Sequence, residues 1–183
     1  VIVLRLLLLT GLSVLASLQK PVWLWLMGQV GLGLCFLQWF IVLHECGHRT
    51  LFATRRLNPI VGHLAGFFAG FPFSTWRSIH HQHHRWTGWQ DKDPTTAVLA
   101  DKTVHPAMAV AMNSFWRLWI PVFALAYRWG NYWNAARLWQ LFPRPRHRRR
   151  HVANILLLGA AYAGIVAALG PLEALRLLGL PIL

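Results

Sequence analysis

Residues 21–43 (PVWLWLMGQVGLGLCFLQWFIVL) carry no charged side chain over 23 consecutive positions, and nothing else in the chain restricts its fold as much. As a helix rising roughly 1.5 Å per residue, such a run is long enough to cross the roughly 30 Å hydrocarbon core of a bilayer. A second charge-free run of 21 residues, 152–172 (VANILLLGAAYAGIVAALGPL), is rich in Gly and Ala, which let helices pack closely in lipid. Residues 1–19 offer a shorter third apolar segment, in which Arg5 has to snorkel to the interface. The sequence therefore predicts an all-α, integral membrane helical protein that opens with a transmembrane hairpin over 1–43, turning at Lys20–Pro21. A signal peptide over 1–20, with Arg5 as its basic region and Val14–Ser17 as cleavage site, fits less well, because cleavage would leave a Pro-led apolar run at the new N-terminus.

Charge and hydropathy agree with a lipid environment. Lys and Arg number 18 against 5 Asp and Glu, for a net charge of +13 and a pI near 11.6, yet 56% of the residues are hydrophobic and the mean hydropathy is +0.41. Soluble domains seldom combine the two, and proteins that bind nucleic acid share the charge but not the apolar content. The charge is also segregated: all 10 His, 15 of the 18 basic residues and 4 of the 5 acids lie between His44 and His151. The positive-inside rule puts that segment in the cytoplasm and the hairpin tip on the other side. The chain, a single domain over 1–183, thus reads as a hairpin (1–43), a cytoplasmic or interfacial histidine-rich region (44–151) and C-terminal membrane helices (152–183). Cys35, in an apolar run, and Cys46, beside the first histidines, offer no disulfide framework and suit a reducing compartment.

Two further segments are apolar but interrupted. Residues 57–76 (LNPIVGHLAGFFAGFPFSTW) lack Lys, Arg, Asp and Glu, but Pro59, Pro72 and three glycines break them up. If they crossed the bilayer, the histidines before and after them would face opposite sides. They are therefore expected to lie in the interface or re-enter it. Residues 104–127, with Trp116, Trp119 and Tyr127 among short apolar runs, are likewise expected to be interfacial and amphipathic.

The chemistry-bearing residues come in two clusters. His44-Glu45-Cys46-Gly47-His48 follows directly on the long apolar run, and if the helix continues, His44 and His48 project from one face where it leaves the lipid. His80-His81-Gln82-His83-His84 sets His80, His83 and His84 at i, i+3 and i+4, again on one helical face. Five imidazoles exceed what one tetrahedral ion takes and suit two transition-metal ions. His81 points about 100° away from His80 and is a further candidate ligand only if the helix is irregular. His63 and His105 stand alone and read as structural. The first cluster also satisfies H-E-x-x-H, the zinc-protease pattern in which the glutamate is the general base. A single zinc, however, has no use for the second cluster, and a third protein ligand for it is not identifiable.

At this point the chain resembles the membrane fatty acid desaturases. HECGH is similar to that family's first histidine box, and WRSIHHQHHRWTG (76–88) to its second, while Asp91-Lys92-Asp93-Pro94 is similar to the Asp-Pro that often follows the second box in bacterial members. The resemblance implies that His44, His48, His80, His83 and His84 are iron ligands and that Glu45 is not. It further implies two iron ions, dioxygen, a membrane lipid or acyl-carrier substrate and an electron donor such as a ferredoxin or a cytochrome b5-type protein, with no role for nucleic acid. A hydroxylase or ketolase of a lipid or carotenoid shares these boxes and is the alternative within the superfamily. Metal-bound imidazoles need their tautomers fixed by neighbours. Asp91 or Asp93 is placed to do this, although capping or solvating a turn is the plainer role for both.

The resemblance is incomplete in one respect. A third H-x-x-H-H box is expected after the last pair of membrane helices, and the chain has none. His147 and His151 form H-x-x-x-H but stand within RPRHRRRH (144–151), whose five arginines oppose metal binding. That segment reads as a basic stop at the membrane surface, or a dock for acidic headgroups or an acidic redox partner. With an opening Val and a C-terminal ALRLLGLPIL that resembles the start of a helix, the sequence is expected to be a piece of a longer desaturase, inactive by itself.

Overall fold

A computed structural model of the chain describes residues 1–97, 104–118, 120–179 and 181, and all regular structure among them is helical. The chain divides into two compact units, Val1–Phe73 with Asn154–Leu183, and Ser74–Ala153.

The first unit is built on a hairpin of α1 (Ile2–Ser17) and α2 (Val22–His48). Along α2, Leu26, Val30, Leu34, Leu37 and Ile41 form an exposed stripe, while Leu32, Trp39, Val42 and Leu43 are buried. A helix apolar on both its packed and its open face is one whose solvent is lipid. The two helices approach closely, because Gly28 sits against the backbone of Ser17 and Gly31 against the Ser13 side chain. One polar rivet crosses this interface: Trp39 Nε1 donates to Thr10 Oγ1 (3.0 Å), whose own hydrogen goes to Leu6 O (2.7 Å).

After α2 the chain turns back through residues 49–56 into α3 (Leu57–Ala69). The buried Asn58 holds this return, accepting from Phe52 N (3.1 Å) and donating to Phe52 O (2.8 Å). With 13 residues, α3 is about 20 Å long, too short to cross a bilayer by itself. The expected 57–76 segment is in fact two pieces, since Gly70, with φ of 75°, ends α3 and residues 73–76 already belong to the next helix. Phe71 and Phe73 pack back where Gly66 and Gly62 leave no room for a Cβ.

The unit is completed by residues 154–169 of α8 (Pro145–Leu169), by α9 (Pro171–Ala174) and by a π-helical turn, Leu175–Gly179. Tyr162 OH donates to Phe67 O (2.5 Å), and Asn154 Nδ2 lies 3.1 Å from His63 Nδ1. His63, expected to be structural, is thus a helix-to-helix contact. Helix α8 starts seven residues before the charge-free run, because Pro145 presets φ for a first turn, and it stops at Gly170, whose φ is 83°. Helices α2 and α8 are each long and apolar enough to cross a membrane.

The second unit contains α4 (Phe73–Trp86) from Ser74 onward, α5 (Pro106–Arg117), α6 (Val122–Arg128), a π-helical turn at Trp129–Trp133, α7 (Ala135–Leu141) and the first turns of α8. His105 caps α5, its Nδ1 accepting from Ala107 N (3.3 Å), so it too is structural. Thr75 Oγ1 donates to Tyr132 O (2.8 Å), tying α4 to the π-helical turn. The basic segment 144–151 is not a uniform surface: its arginines are exposed, but His151 is fully buried against Phe142, with Nε2 3.0 Å from Ser78 Oγ.

Candidate metal centre

The first box lies on the last turn of α2. His44 and His48 are one turn apart on one face, with ring centroids 4.6 Å apart. Arg49, at φ of 63°, terminates the helix immediately afterwards, with its N–H directed to Cys46 O (3.2 Å). Glu45 is engaged on both oxygens: Oε1 lies 3.2 Å from His44 Nδ1, and Oε2 accepts from Thr50 Oγ1 (2.5 Å). A carboxylate held in this way orients a ring and closes a helix end, which does not favour the general-base role of the protease reading. Cys46 is buried beneath the box as a free thiol.

The second box lies on the last turns of α4. His80 Nε2 and His84 Nε2 are 3.0 Å apart, and the Trp76 ring stacks on His80 at 4.4 Å with an interplanar angle of 17°. Two nitrogens about 2.1 Å from one ion and at right angles to each other are about 3.0 Å apart, so the pair fits a shared metal. His83 lies on the same side, its ring 5.8 Å from that of His84 and 6.2 Å from that of His80. His81 is exposed, as its angular offset predicts.

His83 is fixed by a buried acid. Asp93 Oδ2 lies 2.6 Å from His83 Nδ1, while Asp93 Oδ1 accepts from Thr95 N (2.8 Å) and Thr95 Oγ1 (2.7 Å). Burial pushes the Asp93 carboxyl up, but the two bonds from Thr95 and the His83 ring more than offset it and hold the group below the usual carboxylate range. With Nδ1 facing a carboxylate, His83 carries its proton there and leaves Nε2 free for a metal. The plainer expectation for Asp93, a turn cap, describes only half of what it does. Asp91 is exposed.

The turn that carries Asp93 is itself clamped. Tyr127 OH donates to Thr95 O (2.9 Å), and Arg137 donates to Pro94 O (2.5 Å) and to Asn131 Oδ1. The sequence points to neither Thr95 nor Arg137, and to Tyr127 only as an aromatic of an interfacial segment. Of the first two, only Thr95 left a signal there, as the hydroxyl two residues after an Asp in a Pro-containing turn.

Apolar space lies deeper in the first unit. A cavity of about 190 Å³ without polar lining is bounded by Leu32 and Phe36 of α2, Phe67 and Phe68 of α3, and Ile165 of α8, among others. Phe36 is eight residues, about 12 Å, before His44 along α2.

Comparison with known proteins agrees with these features. The sn-1 oleoyl-lipid 12-desaturase of Picosynechococcus is 37% identical over 84 residues, 44% of this chain and 24% of the relative. The Delta(12) fatty acid desaturase fat-2 of Caenorhabditis elegans is 32% identical over 109 residues, 56% of this chain and 28% of the relative. An endoplasmic-reticulum omega-3 fatty acid desaturase of Vigna radiata is 27% identical over 162 residues, 82% of this chain. The chain spans less than half the length of each, 42% in the last case. No solved structure matches it significantly. The family described as fatty acid desaturase matches residues 21–183, and with both histidine boxes inside that range the chain belongs to the fatty acid desaturase family.

Proposed function

We propose that this chain carries part of the iron site of an oxygen-dependent acyl desaturase, with His44, His48, His80, His83 and His84 as ligands and His81 outside the set. The observation that carries the reading is the bond between buried Asp93 and half-exposed His83, beside the converging His80 and His84 nitrogens, because a carboxylate on Nδ1 is what a metal-binding imidazole needs behind it. When bound, two iron ions supply the chemistry that removes two hydrogens from adjacent methylenes, consuming one dioxygen, two electrons and two protons and releasing two waters.

The chain's own residues prepare for this. Asp93 holds the His83 proton on Nδ1, Glu45 faces His44 Nδ1 (3.2 Å), and Trp76 fixes the plane of His80. The apolar cavity along α2 offers the surface an acyl chain requires. The substrate is a lipid-borne or carrier-borne acyl chain, and the electrons come from a ferredoxin or cytochrome b5-type donor. One of the relatives is named as a ferredoxin-dependent omega-3 desaturase of Arabidopsis chloroplasts. The surplus of basic residues in 44–151 supports a multi-pass membrane protein with the boxes on the cytoplasmic face.

Expression of the gene in a host that lacks polyunsaturated lipids, followed by mass spectrometry of the fatty acid methyl esters, tests the proposal. A new double bond that disappears in His83→Ala supports it. A hydroxylated product, or full activity in His83→Ala, overturns it.

A further inference from the structure

Beside the apolar cavity bounded by α2, α3 and α8 lies a second one, of about 140 Å³, in the same unit. Phe71, Phe73, Leu157 and Ala161 are among its walls, and the His63–Asn154 pair makes one part of it polar. Among the described residues Phe67 alone lines both cavities. Its half-buried ring packs between those of Tyr162, with centroids 5.3 Å apart, and Phe68, at 5.0 Å, and its carbonyl accepts from Tyr162 OH (2.5 Å).

Helix α8 makes the two spaces one interrupted groove. Asn154, Leu157, Leu158 and Ala161 line the smaller cavity and Ile165 and Leu169 the larger, and their spacing puts all of them on one face. From Asn154 to Leu169 is 15 residues of continuous helix, about 22 Å. One leaflet of hydrocarbon, half of a core of roughly 30 Å, is shorter than this, so the undivided groove would take more than an ordinary acyl chain. Divided, it takes less. At about 140 and 190 Å³ each cavity falls below the roughly 300–1,000 Å³ of ligand pockets, a range that only the two together reach. An apolar chain favours the larger one, whose single hydroxyl, Thr10, is already engaged with Leu6 O and Trp39 Nε1, over the one that holds His63 and Asn154.

We infer that Phe67 is a specificity-determining residue: its ring ends the space open to an acyl chain in the larger cavity and so sets the longest chain that is desaturated. This deepens the function proposed above and rests on it for the identity of the substrate, although Phe67 belongs to neither histidine box.

Phe67→Ala and Phe67→Leu open this wall and Phe67→Trp thickens it, and two measurements compare them. In the first, saturated fatty acids of increasing length displace a fluorescent fatty acid from the purified chain at one detergent concentration, so that partition into micelles is common to all variants. A fatty acid one or two methylenes too long for the native chain is expected to bind roughly tenfold more weakly than the longest that fits. That limiting length should increase in Phe67→Ala and Phe67→Leu and decrease in Phe67→Trp. In the second, the gene is expressed in a host that lacks polyunsaturated lipids. The ratio of longer to shorter unsaturated products should rise about tenfold in Phe67→Ala and fall in Phe67→Trp. A merely structural defect lowers all products alike, so an unchanged ratio overturns the inference, as does one limiting length shared by all variants. If Phe67→Ala does not fold, Phe67→Leu decides. A shifted limiting length without any double bond in cells would count against the desaturase reading and leave the wall standing. Double bonds over the same range of chain lengths in every variant would do the reverse.

Discussion

Asp93 is the residue whose role differs most from its appearance in the sequence. Replacing it with Asn keeps the shape and the turn-capping oxygen but leaves His83 facing a neutral group, so Asp93→Asn is expected to weaken metal binding about 10- to 100-fold, as read by iron titration. If affinity is unchanged, the ring is not oriented for a metal. Acid gives a second readout of the same carboxyl. Because its folded pKa lies below the unfolded value near 3.9, the stability it contributes is complete above that value and is lost as pH falls through the depressed native pKa. The stability advantage of the native chain over Asp93→Asn should therefore vanish in acid. Spacing alone made His80, His83 and His84 readable, since helical periodicity fixes which side chains share a face. It could not choose between Asp91 and Asp93 as the acid behind the rings, because the bond to His83 depends on a turn ten residues away that Tyr127 and Arg137 clamp. Arg49 was equally invisible. At φ of 63° it occupies the left-handed region as a non-glycine, and Arg49→Gly should relieve about 1 kcal/mol and raise the thermal midpoint. An unchanged midpoint would mean that the arginine side chain compensates at this helix end.

Among the elements, the hairpin was legible from its charge-free run and its turn, whereas lengths and breaks elsewhere were not. Residues 57–76 carry no charge throughout, yet Gly70 divides them into the end of one helix and the start of the box-bearing helix. Hydropathy cannot show this, since both pieces are equally apolar. Helix α8 likewise absorbed the arginine run that hydropathy excludes, because the first turn needs only Pro145 and solvent for its arginines. The contacts of the glycines give the element-scale prediction. A Cβ at Gly28 would run into the Ser17 backbone and come within 2.8 Å of Ser13 O, whereas at Gly11 it meets nothing within 4 Å. Gly28→Ala should therefore force α1 and α2 apart at a cost of about 1–3 kcal/mol. Gly11→Ala, also within a helix, should instead stabilise by about 0.5–1 kcal/mol. Thermal unfolding in detergent compares the two, and equal effects would remove close packing as the basis of the hairpin.

For the whole molecule the decisive quantity is the side of the membrane on which each end of α2 lies. The basic residues argue for one orientation: 15 of 18 fall between His44 and His151, and only Arg5 and Lys20 precede His44. Lys20 at the tip is outweighed by Arg49, Arg55 and Arg56, which follow directly on the other end of the same helix, and retention of such a group on the cytoplasmic side dominates insertion. The native cysteines make this testable without first removing them. Cys35 and Cys46 are buried, at 6% and 1% exposure, and should resist a membrane-impermeant maleimide. A thiol placed at the exposed Lys20 should then react in intact cells, whereas one at the exposed Thr54, just past the end of α2, should react only after permeabilisation. The reverse pattern would put the first histidine box outside the cytoplasm, out of reach of the cytoplasmic electron donor proposed above. Labelling of both thiols in intact cells would mean that α2 does not span the bilayer.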